Sequence, residues 1–303
     1  MLSANATGTF SLGNFAGSKS SLEYHLYIPS AAQASTKVAQ FPLLIMLHGC
    51  HQKAVDFARG TRMNRYAELH NCFVLYPMQS VQANRARCWN WYEAAHQQRG
   101  YGEPASIAEL TLDLFGKYPI ATDNVFVAGF SAGGAMAATM AVIYPELYTA
   151  LGIHSGVPHG AARDFMSAMI AMQHGSMASY ASHPSHGKIP TIVFHGDQDN
   201  TVHSTHAAQF LTKAQWPWVD VAEGERYTEV SPWRPGHYGT TRTVQLDSEQ
   251  RIFSEQWMVH GGGHAWYGGD ATNTYIDANG PDAAQEMMRF FIDRKARPDQ
   301  SLG

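Results

Sequence analysis

The segment NVFVAGFSAGGAMAATM, residues 124–140, constrains the fold more than any other in the chain. A β-branched run gives way within a few residues to an alanine-rich one, and at the junction Ser131 stands between glycines. Strand and helix can meet so abruptly only if the backbone turns sharply at the serine, with glycine wherever neighbouring backbones leave no room for a Cβ. The pattern G-x-S-x-G over residues 129–133 describes such a nucleophile elbow. The helix that follows directs its first N–H groups and the positive end of its dipole toward Ser131, where negative charge would develop. As a bare pattern it recurs by chance in roughly one chain in ten of this length. The strand before it and the helix after it therefore carry the weight against an ordinary serine in a glycine-rich turn.

The rest of the chain alternates in the same way. Apolar runs at 22–29, 42–49, 72–77, 124–129, 149–156, 190–197, 241–246 and 255–263 read as strands, several of them continuous and ending at glycine, as strands buried on both faces of a parallel sheet do. Helical periodicity falls between them at 54–70, 104–118, 132–144, 162–180, 204–215 and 281–295. Strand–helix alternation predicts an α/β fold, a doubly wound, mostly parallel sheet with helices on both faces, in which ligands bind beyond the carboxyl ends of the strands. No repeat, low-complexity tract or Pro/Ser-rich linker interrupts the 303 residues. One catalytic domain over 1–303 is expected, with 1–21 an N-terminal extension or first strand and 296–303 a tail.

Composition excludes several classes. A net charge of −4 without a basic run gives nucleic acid nothing to meet, and no apolar segment approaches a membrane span. The N-terminal stretch has neither the charged n-region nor the apolar h-region of a signal peptide, so either the protein stays inside the cell or the chain begins after a removed leader. Three cysteines, Cys50, Cys72 and Cys88, are too few for a disulfide scaffold and too irregular for zinc, which leaves room for one bridge and one spare thiol. No metal site is expected: H-E-x-x-H is absent, HPSH at 183–186 reads as an exposed turn, and 270–282 misses the EF-hand spacing. No dinucleotide or P-loop signature occurs, and serine chemistry needs no cofactor.

A serine hydroxyl needs a histidine to take its proton and a carboxylate to orient that histidine. HGDQDNTV, residues 195–202, follows an apolar strand and offers Asp197 and Asp199. The spacing H-G-x-x-D-x-x-V selects Asp199 as the acid and leaves Asp197 to hold the loop through backbone hydrogen bonds. Sixteen histidines compete as base, but VHGGGHAWYGG at 259–269 puts His264 on a glycine-rich loop after a late strand, while His260, still in the strand, reads as a packing residue. The order Ser131, Asp199, His264 is that of α/β-hydrolases. In LHGCHQ, residues 47–52, the backbone N–H of Cys50 can join that of Ala132 in an oxyanion hole. Trp89, Trp91 and Tyr92, with Trp266 and Tyr267, form an aromatic set of which part is expected to wall the cleft as substrate-binding residues.

With these residues in place, the chain resembles the poly(3-hydroxybutyrate) depolymerase family of esterases. The likeness runs from about 22 to 292 and rests on LHGCHQKAVDFARGTRMNRYAE, CWNWY, QQRGYGEPASIAEL, GFSAGGAMA, HGDQDNTV, GGGHAW and GPDAAQEMMRFF, in that order. The resemblance implies an α/β-hydrolase with Ser131 as nucleophile, Asp199 as acid, His264 as base, and Cys50 and Ala132 as oxyanion donors. It also implies a Cys50–Cys88 disulfide with Cys72 an unpaired buried thiol, which slightly favours a secreted or periplasmic location over a cytoplasmic one. The implied activity is hydrolysis of polyesters or short hydroxyalkanoate esters through an acyl-enzyme, with a feruloyl or acetyl-xylan type carbohydrate esterase as the alternative. Nothing after residue 295 matches the linker and polymer-binding module of the polymer-degrading members, so weak adsorption to crystalline polymer is expected.

Overall fold

A computed structural model of the protein describes residues 8–18, 21–34, 39–175, 189–210 and 225–293. In chain order the strands are β1 Thr9–Ala16, β2 Ser21–Ile28, β3 Phe41–Leu47, β4 Phe73–Pro77, β5 Ile120–Phe130, β6 Ala150–His154, β7 Thr191–Gly196, β8 Arg226–Ser231, β9 Gly239–Leu246 and β10 Ile252–His260, followed by the two-residue β11 Trp266–Tyr267 and β12 Ile276–Asp277. The helices are α1 Ser30–Ala34, α2 Ala54–Thr61, α3 Met63–Leu69, α4 Gly102–Lys117, α5 Ala132–Ile143, α6 Phe165–His174, α7 Thr205–Gln209 and α8 Ala283–Ile292.

The first ten strands form one sheet in the order β1-β2-β4-β3-β5-β6-β7-β10-β9-β8. The six central strands, β4 to β10 in that order, are parallel, and an antiparallel pair closes each edge. Alternation along β3 explains the two layers of helices. Leu43, Ile45 and Leu47 face a core shared with α4, α5 and α6, while Leu44 and Met46 face one shared with α2, α3 and α8. All eight expected strands are present. β1 supplies the N-terminal first strand and pairs with β2 along its whole length; it and β8 are edge strands with mostly exposed side chains, so neither carries a strong apolar alternation.

The expected helix 54–70 is two helices. Arg62 takes a left-handed conformation, φ 55°, and the Gly60 carbonyl accepts the Asp270 amide at 2.8 Å instead of continuing the helix. A loop far along the chain thus splits a segment whose own periodicity is continuous. The ends of the expected helices at 176–180, 211–215 and 294–295, the HPSH stretch and the 296–303 tail lie outside the described residues.

Candidate active site

β5 ends at Phe130, and Ser131 has φ 55° and ψ −120° before α5 begins. Such a conformation in a non-glycine residue holds roughly 1–3 kcal/mol of strain and persists only where the surroundings enforce it. Here they do. A Cβ on Gly129 would meet the Gly133 carbonyl carbon at 2.3 Å, and one on Gly133 would meet the Leu47 oxygen at 2.0 Å. The Ser131 amide donates to the His154 carbonyl at 2.9 Å, so the elbow is tied to β6 as well.

Three loops at the same end of the parallel strands bring the expected residues together. His264 Nε2 lies 2.9 Å from Ser131 Oγ, and His264 Nδ1 lies 2.7 Å from Asp199 Oδ2. The other carboxylate oxygen of Asp199 accepts the Thr201 and Val202 amides at 2.9 and 2.8 Å. Burial alone would raise the Asp199 carboxyl, but hydrogen bonds from His195, His264 and the Val202 amide hold it well below the usual carboxylate range. The His264 ring packs on Phe130, with centroids 5.0 Å apart. Its loop approaches β7 so closely that a Cβ on Gly196 would meet the Gly262 oxygen at 2.1 Å, and the Tyr267 hydroxyl donates to the Gly263 carbonyl at 2.7 Å.

Asp197 does different work. Its oxygens accept the Gly261 amide at 2.8 Å and face His260 Nδ1 at 3.0 Å, tying the β7 loop to the end of β10. His260 is therefore no packing residue: it is exposed, between Asp197 and the Thr241 hydroxyl, because the last residue of β10 has left the core.

In the loop after β3, the Gly49 amide donates to Gln52 Oε1 and the His51 amide to the Ala86 carbonyl. Of these three successive amides, that of Cys50 alone has no acceptor among the described residues. Ala132 is the first residue of α5, where amides lack an intrahelical acceptor. Both residues line a cleft of about 410 Å³ that also exposes Ser131 and His264. Cys50 and Cys88 are bonded, and Cys72 is free and buried.

Of the aromatic set, Trp91 and Tyr92 line the cleft. Trp89 and Trp266 do not, contrary to expectation. Trp89 is wholly buried against His48, with ring centroids 5.6 Å apart. Trp266 pairs with Ile276 in the short β11–β12 ladder, and its ring stacks on His154 and meets Phe57 edge-on, so its surface is spent inside the core. Sequence reasoning missed the rest of the lining, contributed by Val157, by Phe165, Met169 and Met172 of α6, and by Tyr275. Helix α6 is apolar nearly all round, so its periodicity gave no face to assign.

Among the described residues no cluster of three or more His, Cys, Asp or Glu side chains could hold a metal, and no helix is long and apolar enough to cross a membrane.

A central parallel sheet with helices on both faces, a serine at a strand–helix elbow, and an acid and a histidine on later loops place the chain in the α/β-hydrolase class. It belongs to the family described as esterase PHB depolymerase, whose model matches residues 22–227. It is 28% identical over 217 residues to poly(3-hydroxyalkanoate) depolymerase C of Paucimonas lemoignei, covering 67% of this chain and 50% of that protein. It is 26% identical over 297 residues to poly(3-hydroxybutyrate) depolymerase of Ralstonia pickettii, covering 92% and 59%. The chain thus spans between half and three-fifths of those two depolymerases. With feruloyl esterase B of Neurospora crassa it is 27% identical over 294 residues, 92% of this chain and 90% of that one. In fold it is similar to an acetyl xylan esterase from Aspergillus awamori, with a TM-score of 0.67, 22% identity, and 94% and 99% of the two chains covered.

Proposed function

We propose that the protein is a serine esterase that hydrolyses short hydroxyalkanoate esters or accessible polyester chains. Ser131 attacks the ester carbonyl while His264 Nε2 takes its proton; the oxyanion sits between the Cys50 and Ala132 amides; the alcohol leaves with the proton from His264. Water, deprotonated by the same imidazole, then attacks the acyl-enzyme and releases the acid. Asp199 stays ionised throughout and stabilises the imidazolium.

The observation that carries the substrate class is the wall beside Ser131. Trp91, Tyr92, Val157, Phe165, Met169 and Met172 present an apolar surface to a repeating aliphatic ester in the same cleft as Ser131 and His264. The relatives named as depolymerases support the same reading, and the Cys50–Cys88 bond favours an oxidising compartment. A carbohydrate esterase is the second reading, favoured by the nearly full-length match to a protein named feruloyl esterase B. Turnover of hydroxybutyrate oligomers, methyl ferulate and acetylated xylose, with Ser131→Ala as blank, tests the choice. Faster oligomer cleavage is expected; ferulate release without oligomer cleavage reverses it.

A further inference from the structure

Behind Asp199 lies an imidazole for which the reaction above has no use. His195, in β7, is completely buried. Its Nε2 is 2.8 Å from the Val202 carbonyl and 3.4 Å from Asp199 Oδ2, and its Nδ1 has no partner among the described residues. Both groups facing Nε2 are acceptors, so Nε2 carries a proton, and Nδ1 is left buried without a partner among the described residues. A residue present only for packing would carry no such penalty, since leucine or phenylalanine fills similar volume without an orphaned nitrogen.

We propose that His195 is a positioning residue for the acid of the triad. This rests on the Ser131–His264–Asp199 reading. The short limb of the Nε2–H bond, to Val202, fixes the loop whose Thr201 and Val202 amides hold Oδ1. The same nitrogen lies 3.4 Å from Oδ2, the oxygen that also faces His264, close enough for its N–H dipole to favour the carboxylate there. The carboxylate is thereby flanked on both oxygens, Oδ1 by the two amides and Oδ2 by the two imidazoles. Without the His195 donor one side of this clamp opens, and the orientation of His264 loosens with it. His195 does not line the cleft, so substrate binding is untouched.

Two variants separate the donor from the packing. Glutamine can place an amide N–H near the position of the imidazole Nε2, whereas leucine removes the donor and keeps the bulk. H195L is expected to lower kcat roughly 10- to 100-fold, the scale of a small misplacement of catalytic groups, with KM within about twofold. H195Q should recover most of the loss. In the wild-type enzyme, ¹⁵N-histidine NMR should show His195, assigned by its absence from H195Q, as the Nε2–H tautomer. Folded H195L with wild-type kcat, H195Q no better than H195L, or an Nδ1–H tautomer each overturns the proposal. If H195L fails to fold, the tautomer and the H195Q rate decide. An active Ser131→Ala would sink the triad reading instead, and the tautomer is measured independently of turnover.

Discussion

Two strands of the sheet, β3 and β7, run into the same dipeptide, His-Gly, and the loops that follow do opposite jobs. After β3, His48 faces its own Gly49 carbonyl through Nδ1 at 2.8 Å and accepts the Gln79 amide on Nε2 at 3.1 Å, so its proton is on Nδ1. After β7, His195 has both acceptors at Nε2, so its proton is there. Each ring anchors a loop by being buried and directional. What the loop then offers depends on its neighbours. The disulfide and the Ala86 carbonyl hold the β3 loop, in which the Cys50 amide has no acceptor among the described residues, whereas the Thr201 and Val202 amides hold the Asp199 side chain toward His264 on the β7 loop. An identical dipeptide thus precedes a loop tied down by its backbone and a disulfide in one place and a loop that sets a carboxylate beside His264 in the other.

The largest effect that can break this contrast lies on the β7 loop. Asp199→Asn should lower kcat by about 10⁴-fold, because the imidazole loses the group that fixes its tautomer. Asp197→Asn should lose less than about tenfold, its carboxylate holding the Gly261 amide and His260 rather than His264. Steady-state kinetics on a nitrophenyl ester measure both, and the reverse order would exchange the roles of the two acids.

The β3 loop should answer to its covalent tie instead. Replacing Cys50 and Cys88 with serine opens a crosslink spanning 38 residues, which loop-closure entropy places at about 4 kcal/mol of stability. Urea unfolding reads the loss. Alkylation of the unfolded, unreduced protein should label Cys72 alone, and three labelled thiols would remove the bridge from the account.

The imidazole under the β3 loop sharpens the contrast through pH. Burial pushes the His48 pKa down to about 4, against the pull of the Gly49 carbonyl. In the unfolded chain it titrates near 6.5, so between about 6.5 and 4 the unfolded state binds more protons and stability falls as pH falls. The contribution is complete above that window, and up to about 3 kcal/mol is lost across it. His154, buried and also held well below its ordinary value by burial and by His195 and His264, acts in the same direction. His48→Asn should make the melting temperature less sensitive to pH over this range; an unchanged slope would mean that His48 titrates normally.

The smallest expected effect is on the wall that neither loop builds. Phe165 of α6 is exposed, lines the cleft and packs edge-on against Tyr92 at 6.1 Å. Phe165→Ala should raise KM for hydroxybutyrate oligomers by about three- to tenfold, as expected for lost apolar contact area, and leave nitrophenyl acetate nearly unchanged. Equal changes for both substrates would detach α6 from acyl recognition.

The amino-acid sequence by itself determined the elements whose causes are local. Glycines 129 and 133 beside Ser131 specify the elbow because the missing Cβ at each lets strand and helix approach. Continuous apolar runs specify strands covered on both faces, and the spacing of HGDQDNTV separates Asp199 from Asp197. Tertiary structure decided whatever depended on partners distant in the chain. Residue 270 breaks the helix at residue 62 by taking the Gly60 carbonyl. Trp266 turns into the core because Ile276 pairs beside it and His154 lies beneath it, which no property of GGGHAW could announce. The inward face of α6 was hidden for the same reason: a helix apolar on nearly every side acquires a direction only from the sheet and cleft it is packed against.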